Sequence, residues 1–295
     1  MGLYPFSIVD VFAETKYAGN ELAVIRRAES LSGEDMQKVA REMNFSETTF
    51  VLKDEASGGG YDVRIFTPRS EMPFAGHPTL GTAYIIQQEI IRRPVGEVVL
   101  NLKVGPIPVT FTYSGNEPDV LWMKQIPPLF GQTIRPEQAA QVLGLKPADI
   151  DPGFPVQSVS TGVPFFIVPL KTGEALRQSR VNLRRLYALV NRTEAKAFLL
   201  FSTETLDPRN NLRVRVFADA LGVPEDPATG SANGCLAGYL VKHRYFGAAK
   251  IDIRVEQGHE VGRPSLLLLQ AEEQGDAVSV SVGGRVIPVA RGELV

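Results

Sequence analysis

The sequence predicts a mixed α and β protein built from two similar halves, and two internal repeats carry this prediction. The segment VRIF (63–66) returns 151 positions later as VRVF (214–217). The heptapeptide HPTLGTA (77–83) is answered 149 positions later by DPATGSA (226–232). In each copy a strand-forming run is followed by a polar loop and then by an apolar helical run. Two strand–loop–helix units half a chain apart indicate a duplicated fold with one site formed jointly by its halves.

Both helical runs are predicted to begin at an anion-binding site. Pro78 and Pro227 lie at the predicted helix starts, where proline loses no hydrogen bond because first-turn N–H groups lack partners within the helix. Those N–H groups and the positive end of the helix dipole attract anions. His77 precedes one proline and Asp226 precedes the other, so the repeat places a titratable side chain at each start. Such a difference between two equivalent positions is typical of an active site.

Composition excludes several classes of protein. A chain of 295 residues, 44% of them hydrophobic, is long enough for about two domains with a sizeable core. The balance of 31 basic and 33 acidic residues, a net charge of −2, argues against nucleic acid as a partner. The single cysteine, Cys235, excludes a disulfide framework and a cysteine-rich metal site. The three histidines show no ligand spacing, so no metal site is predicted.

The hydropathy pattern predicts no membrane partner. No apolar run approaches the length of a membrane span. The N-terminal segment MGLYPFSIVD has no basic region and no cleavage pattern, so we expect no secretion signal. A cytoplasmic protein is therefore the expectation.

The first half is predicted to be a sheet with two helices. Ser32, with Asp35 three residues later, forms a capping pattern that predicts a helix start, and apolar residues at helical spacing follow it. The second helix is the apolar run that opens at His77. Strands are predicted where β-branched and aromatic residues concentrate, at residues 4–12, 22–25, 49–52, 61–66, 98–104 and 109–113.

The turn GNEP (115–118) is the best candidate for a domain boundary by composition. It predicts an N-terminal domain over residues 1–116 and a C-terminal domain over residues 117–283, and the last strand, within 284–295, can join the first domain. In the second half, Pro136 and Gly144 frame one helix, and the leucine-rich run 183–190 marks another. At the offset of 149 residues, Lys196 stands opposite Glu47.

Four motifs in this chain resemble the phenazine-biosynthesis PhzF-like family, which is related to diaminopimelate epimerase and proline racemase. They are NFSETTF (44–50), FTPRSEMPFAGHPT (66–79), EDPATGSA (225–232) and EQGHEVGRPS (256–265). The resemblance covers nearly the whole chain. It implies an α+β fold of two similar, pseudo-symmetric domains, each a curved, barrel-like mixed β-sheet wrapped around a central apolar helix. It also implies an isomerase that needs no cofactor, with its acid–base site in the cleft between the halves and a homodimer as the expected assembly.

The resemblance assigns the proton-transferring acid/base to Glu47. This residue lies in a polar Ser-Glu-Thr-Thr turn, and by itself it would be read as a solvated loop glutamate. A carboxylate can take a proton from one carbon and return it elsewhere if burial raises its pKa. Asp226, by itself an N-cap aspartate, becomes a ligand-orienting or proton-relaying partner. His77, by itself a capping histidine, is expected to assist, since its ordinary pKa is about 6.5.

The resemblance also suggests which residues bind the substrate. Gly230 and Ser231 at the second helix start, and Gly76 at the first, match positions that hold its polar groups. Asn20 and Ser46 match further binding positions. The related racemases use one cysteine from each half at the helix starts. This chain has His77 and Asp226 there, which excludes a two-thiol mechanism.

The predicted function is an isomerase that moves a proton between carbons, or epimerises a carbon, beside the carboxylate of a small metabolite. One alternative is a non-catalytic small-molecule or protein-binding member of the same fold. Another is a hydrolase in which Glu47 activates water, although the chain has no nucleophile-elbow motif. Glu21 and Asp219 stand where the family usually has proline, which leaves the identity of the substrate open.

Overall fold

The computed structural model describes residues 3–295. Met1 and Gly2 belong to the segment in which no secretion signal is predicted, and for these two residues that prediction lies outside the described residues. The chain divides into two compact units. The first runs up to Met123 and includes Gly283–Val295, and the second is Lys124–Val282. The turn at Gly115, the predicted boundary, joins two paired strands. The C-terminal strand pairs with the first strand of the chain.

The first unit places a mixed sheet against a buried helix. The helix Gly76–Ile85 is followed by a π-helical turn (Ile86–Ile91). The predicted N-cap is confirmed, because the Ser32 hydroxyl accepts the Asp35 N–H at 3.1 Å. The elements are β1 (Tyr4–Val11), β2 (Asn20–Ile25), α1 (Gly33–Met43), β3 (Glu47–Val51), β4 (Tyr61–Phe66), β5 (Glu71–Met72), α2 (Gly76–Ile85), β6 (Glu97–Leu102), β7 (Gly105–Ser114), β8 (Glu117–Lys124) and, at the C-terminus, β18 (Val286–Leu294).

The second unit repeats this plan with more helices on the outer face of its sheet. The helix framed by Pro136 and Gly144 is confirmed, and Gly144 closes it with a left-handed φ of 66°. The elements are β9 (Leu129–Ile134), α3 (Pro136–Leu143), β10 (Val156–Ser160), β11 (Pro164–Pro169), α4 (Gly173–Gln178), α5 (Leu183–Val190), β12 (Ala197–Ser202), β13 (Leu212–Ala218), β14 (Val223–Asp226), α6 (Gly230–Lys242), β15 (Lys250–Gln257), β16 (Ser265–Gln274) and β17 (Ala277–Gly284).

Strand pairing follows the same series in both units. In the first, β1–β2 is antiparallel, β2–β3 parallel, β3–β4 antiparallel and β4–β6 parallel. In the second, β10–β11, β11–β12, β12–β13 and β13–β15 repeat these orientations in the same order. Every residue of α2 except the first is buried, and α6 is buried apart from Ser231 and Lys242. A helix that is apolar all round belongs inside a core. The predicted fold, a mixed sheet around a central apolar helix in each half, is confirmed.

The glycine inside α2 is required by close packing. A Cβ atom on Gly81 would lie 2.6 Å from Leu22 Cδ2 and 2.9 Å from Val11 Cγ2. The helix α2 therefore lies directly on β1 and β2, and the glycine brings the helix close to the sheet.

Strand register corrects the predicted equivalence of His77 and Asp226. Asp226 pairs with Val216, whereas the residue in the same place of the first unit, opposite Ile65, is Met72. From each of these two residues the central helix begins four positions later. Asp226 is therefore the counterpart of Met72, at an offset of 154 (72 to 226) rather than 149. The reason is that the segment from the repeated phenylalanine to this residue is three residues longer in the second unit, 217 to 226 against 66 to 72, and contains a 3₁₀ turn.

The two prolines of the repeat also differ in position. Pro78 is the third residue of α2, inside its first turn, as predicted. Pro227 precedes α6, whose N-cap is Thr229. The placement of Pro227 at the helix start and the reading of Asp226 as an N-cap are therefore wrong, because Asp226 is the last residue of β14.

Lys196 is not the counterpart of Glu47. Thr48 pairs with Phe66 at the end of VRIF, and Phe198 pairs with Phe217 at the end of VRVF. Glu47 directly precedes Thr48, and Ala197 directly precedes Phe198. Register therefore matches Ala197 with Glu47. The Lys196 ammonium donates to the carbonyls of Val190 and Thr193 after α5, which gives it a capping role.

Candidate active site

Glu47 and His77, the predicted catalytic residues of the first unit, lie side by side. Glu47 begins β3, and His77 lies in the first turn of α2. Glu47 Oε2 is 3.4 Å from His77 Nε2, and the two side chains are 18% and 8% exposed. Two residues further along β3, the Thr49 hydroxyl is hydrogen-bonded to the Thr82 hydroxyl at 2.8 Å. Because alternate residues of a strand face the same way, this bond fixes the strand that presents Glu47 to the helix.

Burial keeps the His77 imidazole neutral. It lowers the pKa of His77 to about 3, and this effect outweighs the opposing hydrogen bond to the Glu21 carbonyl. Within the described chain Nε2 makes no hydrogen bond, so the proton donated to Glu21 is on Nδ1. The nitrogen facing Glu47 is therefore unprotonated. Glu21 accepts this hydrogen bond through its main-chain carbonyl. The bond does not need a particular side chain, so it is kept although Glu21 departs from the family pattern.

The other predicted residues of the first unit border this pair. Asn20 begins β2 and is buried. It lies two residues before Leu22, which pairs with Glu47, so Asn20 and Leu22 share a face of the sheet. Ser46 directly precedes Glu47 and is half-buried, and Gly76 is the first residue of α2. The structure thus gathers the five predicted residues of this unit around the start of α2.

Asp226, in the second unit, belongs to a hydrogen-bond network that the sequence did not predict. The Thr229 hydroxyl donates to Asp226 Oδ2. Gln257, fully buried at the end of β15, donates through Nε2 to the Asp226 carbonyl at 2.8 Å and to Thr229 Oγ1 at 3.0 Å. Its Oε1 accepts from the Thr229 N–H at 3.2 Å and from Asn233 Nδ2 at 2.9 Å. The available signal was a polar amide at the last position of a strand, inside the EQGHEVGRPS motif.

The turn after Gln257 requires glycine. Gly258 has a left-handed φ of 81°, and a Cβ there would lie 2.2 Å from the Arg263 carbonyl oxygen and 2.5 Å from that of Pro227. The main chain of this turn therefore packs directly on the loop that follows Asp226. Any larger residue would displace that loop.

Gly230 and Ser231 are the first two residues of α6, as the predicted binding role requires. Gly230 is buried, and the Ser231 carbonyl accepts the Thr161 hydroxyl at 3.2 Å. The Cys235 thiol lies one turn further, 3.6 Å from Thr161 Oγ1. Burial raises the pKa of Cys235 to about 11, so the thiol is protonated at neutral pH, and the fully buried side chain is a core residue.

A groove of about 530 Å³ in the second unit contains none of the predicted site residues. Three arginines and three carboxylates share its wall. Arg215 and Glu225 form a two-point ion pair there, with both bonds at 2.8 Å. This mutual pairing leaves little net charge to attract a substrate anion. The groove is lined by Arg177, Arg180, Val181, Leu183, Arg215, Phe217, Asp219, Pro224, Glu225 and Glu260.

Residues 3–295 hold neither a cluster of metal-binding side chains nor a membrane-spanning helix. No three His, Cys, Asp or Glu side chains in that range are grouped so that they could hold a metal ion. None of the helices described above is long and apolar enough to cross a membrane. The cytoplasmic location stays a prediction.

Several known proteins are similar to this chain in sequence or in fold. Residues 9–292 match the family described as phenazine biosynthesis-like proteins. The trans-2,3-dihydro-3-hydroxyanthranilate isomerase of Pseudomonas aeruginosa is 35% identical over 98% of this chain and 99% of that enzyme. A PhzF-family phenazine biosynthesis protein from Bacillus anthracis shares the fold over 100% of both chains, with a TM-score of 0.91 at 24% identity. A hydroxyproline epimerase from Agrobacterium vitis shares the fold at a TM-score of 0.64 and 11% identity, over 99% of this chain and 91% of that one.

Proposed function

We propose, since this chain belongs to the phenazine biosynthesis-like family and is one of its isomerases, that it moves a proton between carbons, or epimerises a carbon, beside the carboxylate of a small metabolite. In this proposal Glu47 is the acid and base, His77 and Asp226 assist it, and no cofactor takes part. The observation that carries the proposal is the contact of the Glu47 carboxylate with a neutral imidazole.

The unprotonated nitrogen of His77 makes Glu47 a better base. Nε2 presents a lone pair to Glu47 Oε2 at 3.4 Å, and an ionised carboxylate also offers only lone pairs. Two acceptors that face each other are unfavourable, whereas a proton on the Glu47 oxygen can be donated to Nε2. The pair therefore favours the protonated form of Glu47, which is the form present after it has taken a proton from carbon. Catalytic hydrogen bonds commonly shorten once substrate binds.

The proposed reaction returns the enzyme to its starting state. The ionised Glu47 carboxylate takes a proton from one carbon, and the C–H electron pair moves into the adjoining unsaturated carboxylate system. Glu47 then donates a proton to another carbon or, once the planar intermediate has turned over, to the opposite face of the first carbon, and its carboxylate is ionised again. No oxidant, reductant or leaving group is involved. The barrier depends on how well the enzyme stabilises the negative charge that develops on the substrate.

The starts of the central helices are suited to that charge. Gly76 begins α2, and Gly230 and Ser231 begin α6, so their N–H groups lie in the first turns, where the helix dipole favours anions. We assign the substrate carboxylate to these N–H groups and its other polar groups to Asn20 and Ser46. That both helix starts act on one substrate molecule, in a cleft between the halves, stays a prediction.

The relative in Pseudomonas aeruginosa suggests the first compound to test. That protein is named for the isomerisation of trans-2,3-dihydro-3-hydroxyanthranilate, which has a carboxylate on an unsaturated ring. The proposal for this chain is the wider class of small unsaturated or amino carboxylic acids. Glu21 and Asp219, which depart from the family pattern, are the positions at which we expect substrate preference to differ.

The test is proton exchange at carbon in D₂O. Purified protein is incubated with trans-2,3-dihydro-3-hydroxyanthranilate and with a panel of cyclic and amino carboxylic acids, and proton NMR follows each carbon-bound proton. We expect deuterium to enter one carbon position of the true substrate, at a rate proportional to protein concentration. The same acids in buffer alone give the background exchange.

Two outcomes would favour the competing functions. Saturable binding of an acid from the panel, without any deuterium at carbon, would support a binding protein of the same fold. Release of a hydrolysis product would support Glu47 acting on water. The predicted homodimer is tested separately, by light scattering on the purified protein.

A further inference from the structure

We propose that Gln257 is a positioning residue that orients the Asp226 carboxylate through the hydroxyl of Thr229. The inference rests on the proposed function, because it concerns an aspartate assigned to assist the reaction. Gln257 does not contact the atoms assigned to the reaction. Its effect would pass through two hydrogen bonds, from amide to hydroxyl and from hydroxyl to carboxylate.

The orientation of the Gln257 amide is set by groups whose roles cannot change. Its Oε1 receives the Thr229 main-chain N–H at 3.2 Å, and a main-chain N–H can only donate. Its Nε2 faces the Asp226 main-chain carbonyl at 2.8 Å, and a carbonyl can only accept. Asn233 Nδ2, 2.9 Å from the same Oε1, adds a second donor. A flipped amide would lose all three bonds.

This orientation directs the hydroxyl proton of Thr229. Gln257 Nε2 donates to Thr229 Oγ1 at 3.0 Å, so the hydroxyl oxygen already receives one hydrogen bond. A hydroxyl has one proton to donate, and here it is donated to Asp226 Oδ2. The hydrogen bond to Asp226 is therefore directed by the amide rather than left to free rotation of the hydroxyl. A bond to the charged form of a carboxylate is among the stronger ones in proteins.

The amide end of the network is buried. Gln257 and Asn233 are both fully buried, and Asn233 also donates to the Thr229 carbonyl at 3.0 Å. Gly258 packs its main chain against the Pro227 carbonyl, which holds the turn after Gln257 in place. The members of a buried polar network affect one another, so changing one of them alters the hydrogen bonds of the others.

Most charged groups on the neighbouring elements are bound to one another. Arg215 pairs with Glu225, and Arg213 pairs with Glu260. Glu256 accepts two main-chain N–H groups of the loop before β13. Burial lowers the pKa of His259, so it is neutral at neutral pH, and burial raises the pKa of Asp219. The charged or titratable groups carried by β13, β14, β15 and the turns that directly follow them are Arg213, Arg215, Asp219, Glu225, Asp226, Lys250, Asp252, Arg254, Glu256, His259, Glu260 and Arg263.

The first test changes Thr229. Thr229→Val keeps the shape of the side chain and removes the hydroxyl, whereas Thr229→Ser keeps the hydroxyl. We expect kcat to fall roughly 10- to 100-fold in Thr229→Val with little change in KM, because a reacting group is mispositioned. Thr229→Ser should restore most of kcat. In the protein without ligand, the ¹³C carboxyl signal of Asp226 should titrate at higher pH in Thr229→Val than in wild type or Thr229→Ser.

The second test changes Gln257 and its neighbour. An ionised carboxylate cannot donate, so in Gln257→Glu the Thr229 hydroxyl is expected to turn away from Asp226. This variant should reproduce the kinetic defect of Thr229→Val. The matched control is Glu256→Gln, an isosteric change at the adjacent buried residue, whose bonds go to the loop before β13. The control should keep near-wild-type kcat.

Unchanged kcat and an unchanged Asp226 titration in Thr229→Val would overturn the inference. Equal loss of kcat in Thr229→Val and Thr229→Ser would also overturn it, since only shape would then matter. If Gln257→Glu does not fold, the pair of Thr229 variants still decides. If wild-type protein exchanges no proton on any acid, the proposed function fails. The Asp226 titration then remains as an independent measure of the positioning contact.

Discussion

The starts of the two central helices show how one scaffold can carry two kinds of chemistry. At α2, a carboxylate from β3 faces a neutral imidazole in the first turn, 3.4 Å away. At α6, the Asp226 carboxylate at the end of β14 accepts a hydrogen bond from the Thr229 hydroxyl, and the buried Gln257 amide donates to that hydroxyl. The strand pairings that lead to each helix are the same. The surroundings of the two carboxylates are different.

The difference suggests a division of labour between the units. An imidazole that can only accept favours a protonated carboxyl at α2, which suits a group that takes and returns protons. A hydroxyl that donates favours an ionised carboxylate at α6, which suits a group that orients a substrate. Duplication supplied two equivalent helix starts, and the side chains around them then determine what each one does. Each prediction below compares the two units.

The largest expected effect compares the two carboxylates directly. Glu47→Gln keeps shape and hydrogen-bonding capacity but removes the base, so kcat should fall by roughly 10²–10⁴ with little change in substrate affinity. Asp226→Asn should cost less if Asp226 orients the substrate, and about the same if it relays the proton. The measurement is kcat and KM of both variants on the substrate identified by deuterium exchange.

A matched control for Glu47→Gln is Glu71→Gln. Glu71 lies in the same unit and is about as buried, but it is bound to Arg64 and Lys103. This variant should keep near-wild-type kcat. Wild-type turnover in Glu47→Gln would remove Glu47 from the mechanism and leave Asp226 or His77 as the base.

A second comparison uses the arginines of the repeated motif. Arg64 pairs with Glu71 and lies over the Phe66 ring, and Arg215 pairs with Glu225 and lies over the Phe217 ring. The Arg215 side chain is only 3% exposed, against 31% for Arg64. Arg215 also donates to three carbonyls at the end of α4, those of Leu176, Arg177 and Ser179.

Removing each arginine should therefore cost different amounts. We expect Arg215→Ala to lower the free energy of unfolding by about 3 kcal/mol or more, because it leaves a carboxylate and several carbonyls unpaired in a buried place. Arg64→Ala should cost about 1 kcal/mol, since that pair is partly solvated. Urea denaturation midpoints of the two variants measure the difference. Equal losses would show that burial does not distinguish the two ion pairs.

A further comparison concerns the charge of His77. Its pKa is lowered to about 3 in the folded protein, whereas an unfolded histidine titrates near 6.5. As pH falls below 6.5 the unfolded chain binds the proton first, so the stability that His77 contributes is lost between about pH 6.5 and pH 3. His77→Gln should lose less stability over this window. The register counterpart in the second unit, Ser231, cannot titrate there.

Nitrogen NMR checks the same point without unfolding the protein. The Nε2 signal of His77 should keep the shift of an unprotonated nitrogen from pH 7 down to about pH 4, while Nδ1 stays protonated. Protonation of Nε2 near pH 6.5 would contradict the neutral imidazole on which the proton-transfer argument depends.

Local features of the sequence determined the elements themselves. Ser32 with Asp35 predicted the start of α1, and Pro136 with Gly144 predicted the bounds of α3, because capping and turn preferences act within a few residues. The duplicated VRIF and VRVF strands and the apolar helices that follow them predicted two similar units. The motif around Glu47, together with the family resemblance, pointed to the carboxylate that the structure places beside His77.

Only the tertiary structure decided which residues correspond and how each site residue is set. The repeat aligned Asp226 with His77, whereas strand register aligns it with Met72, because register depends on the length of a connection that sequence similarity does not measure. The neutral state of His77 follows from burial, and its tautomer follows from a hydrogen bond to a carbonyl 56 positions away (21 to 77). The orientation of Asp226 follows from Gln257, 31 positions further on (226 to 257). Burial and hydrogen-bond partners come from residues distant in sequence, so they exist only once the chain has folded.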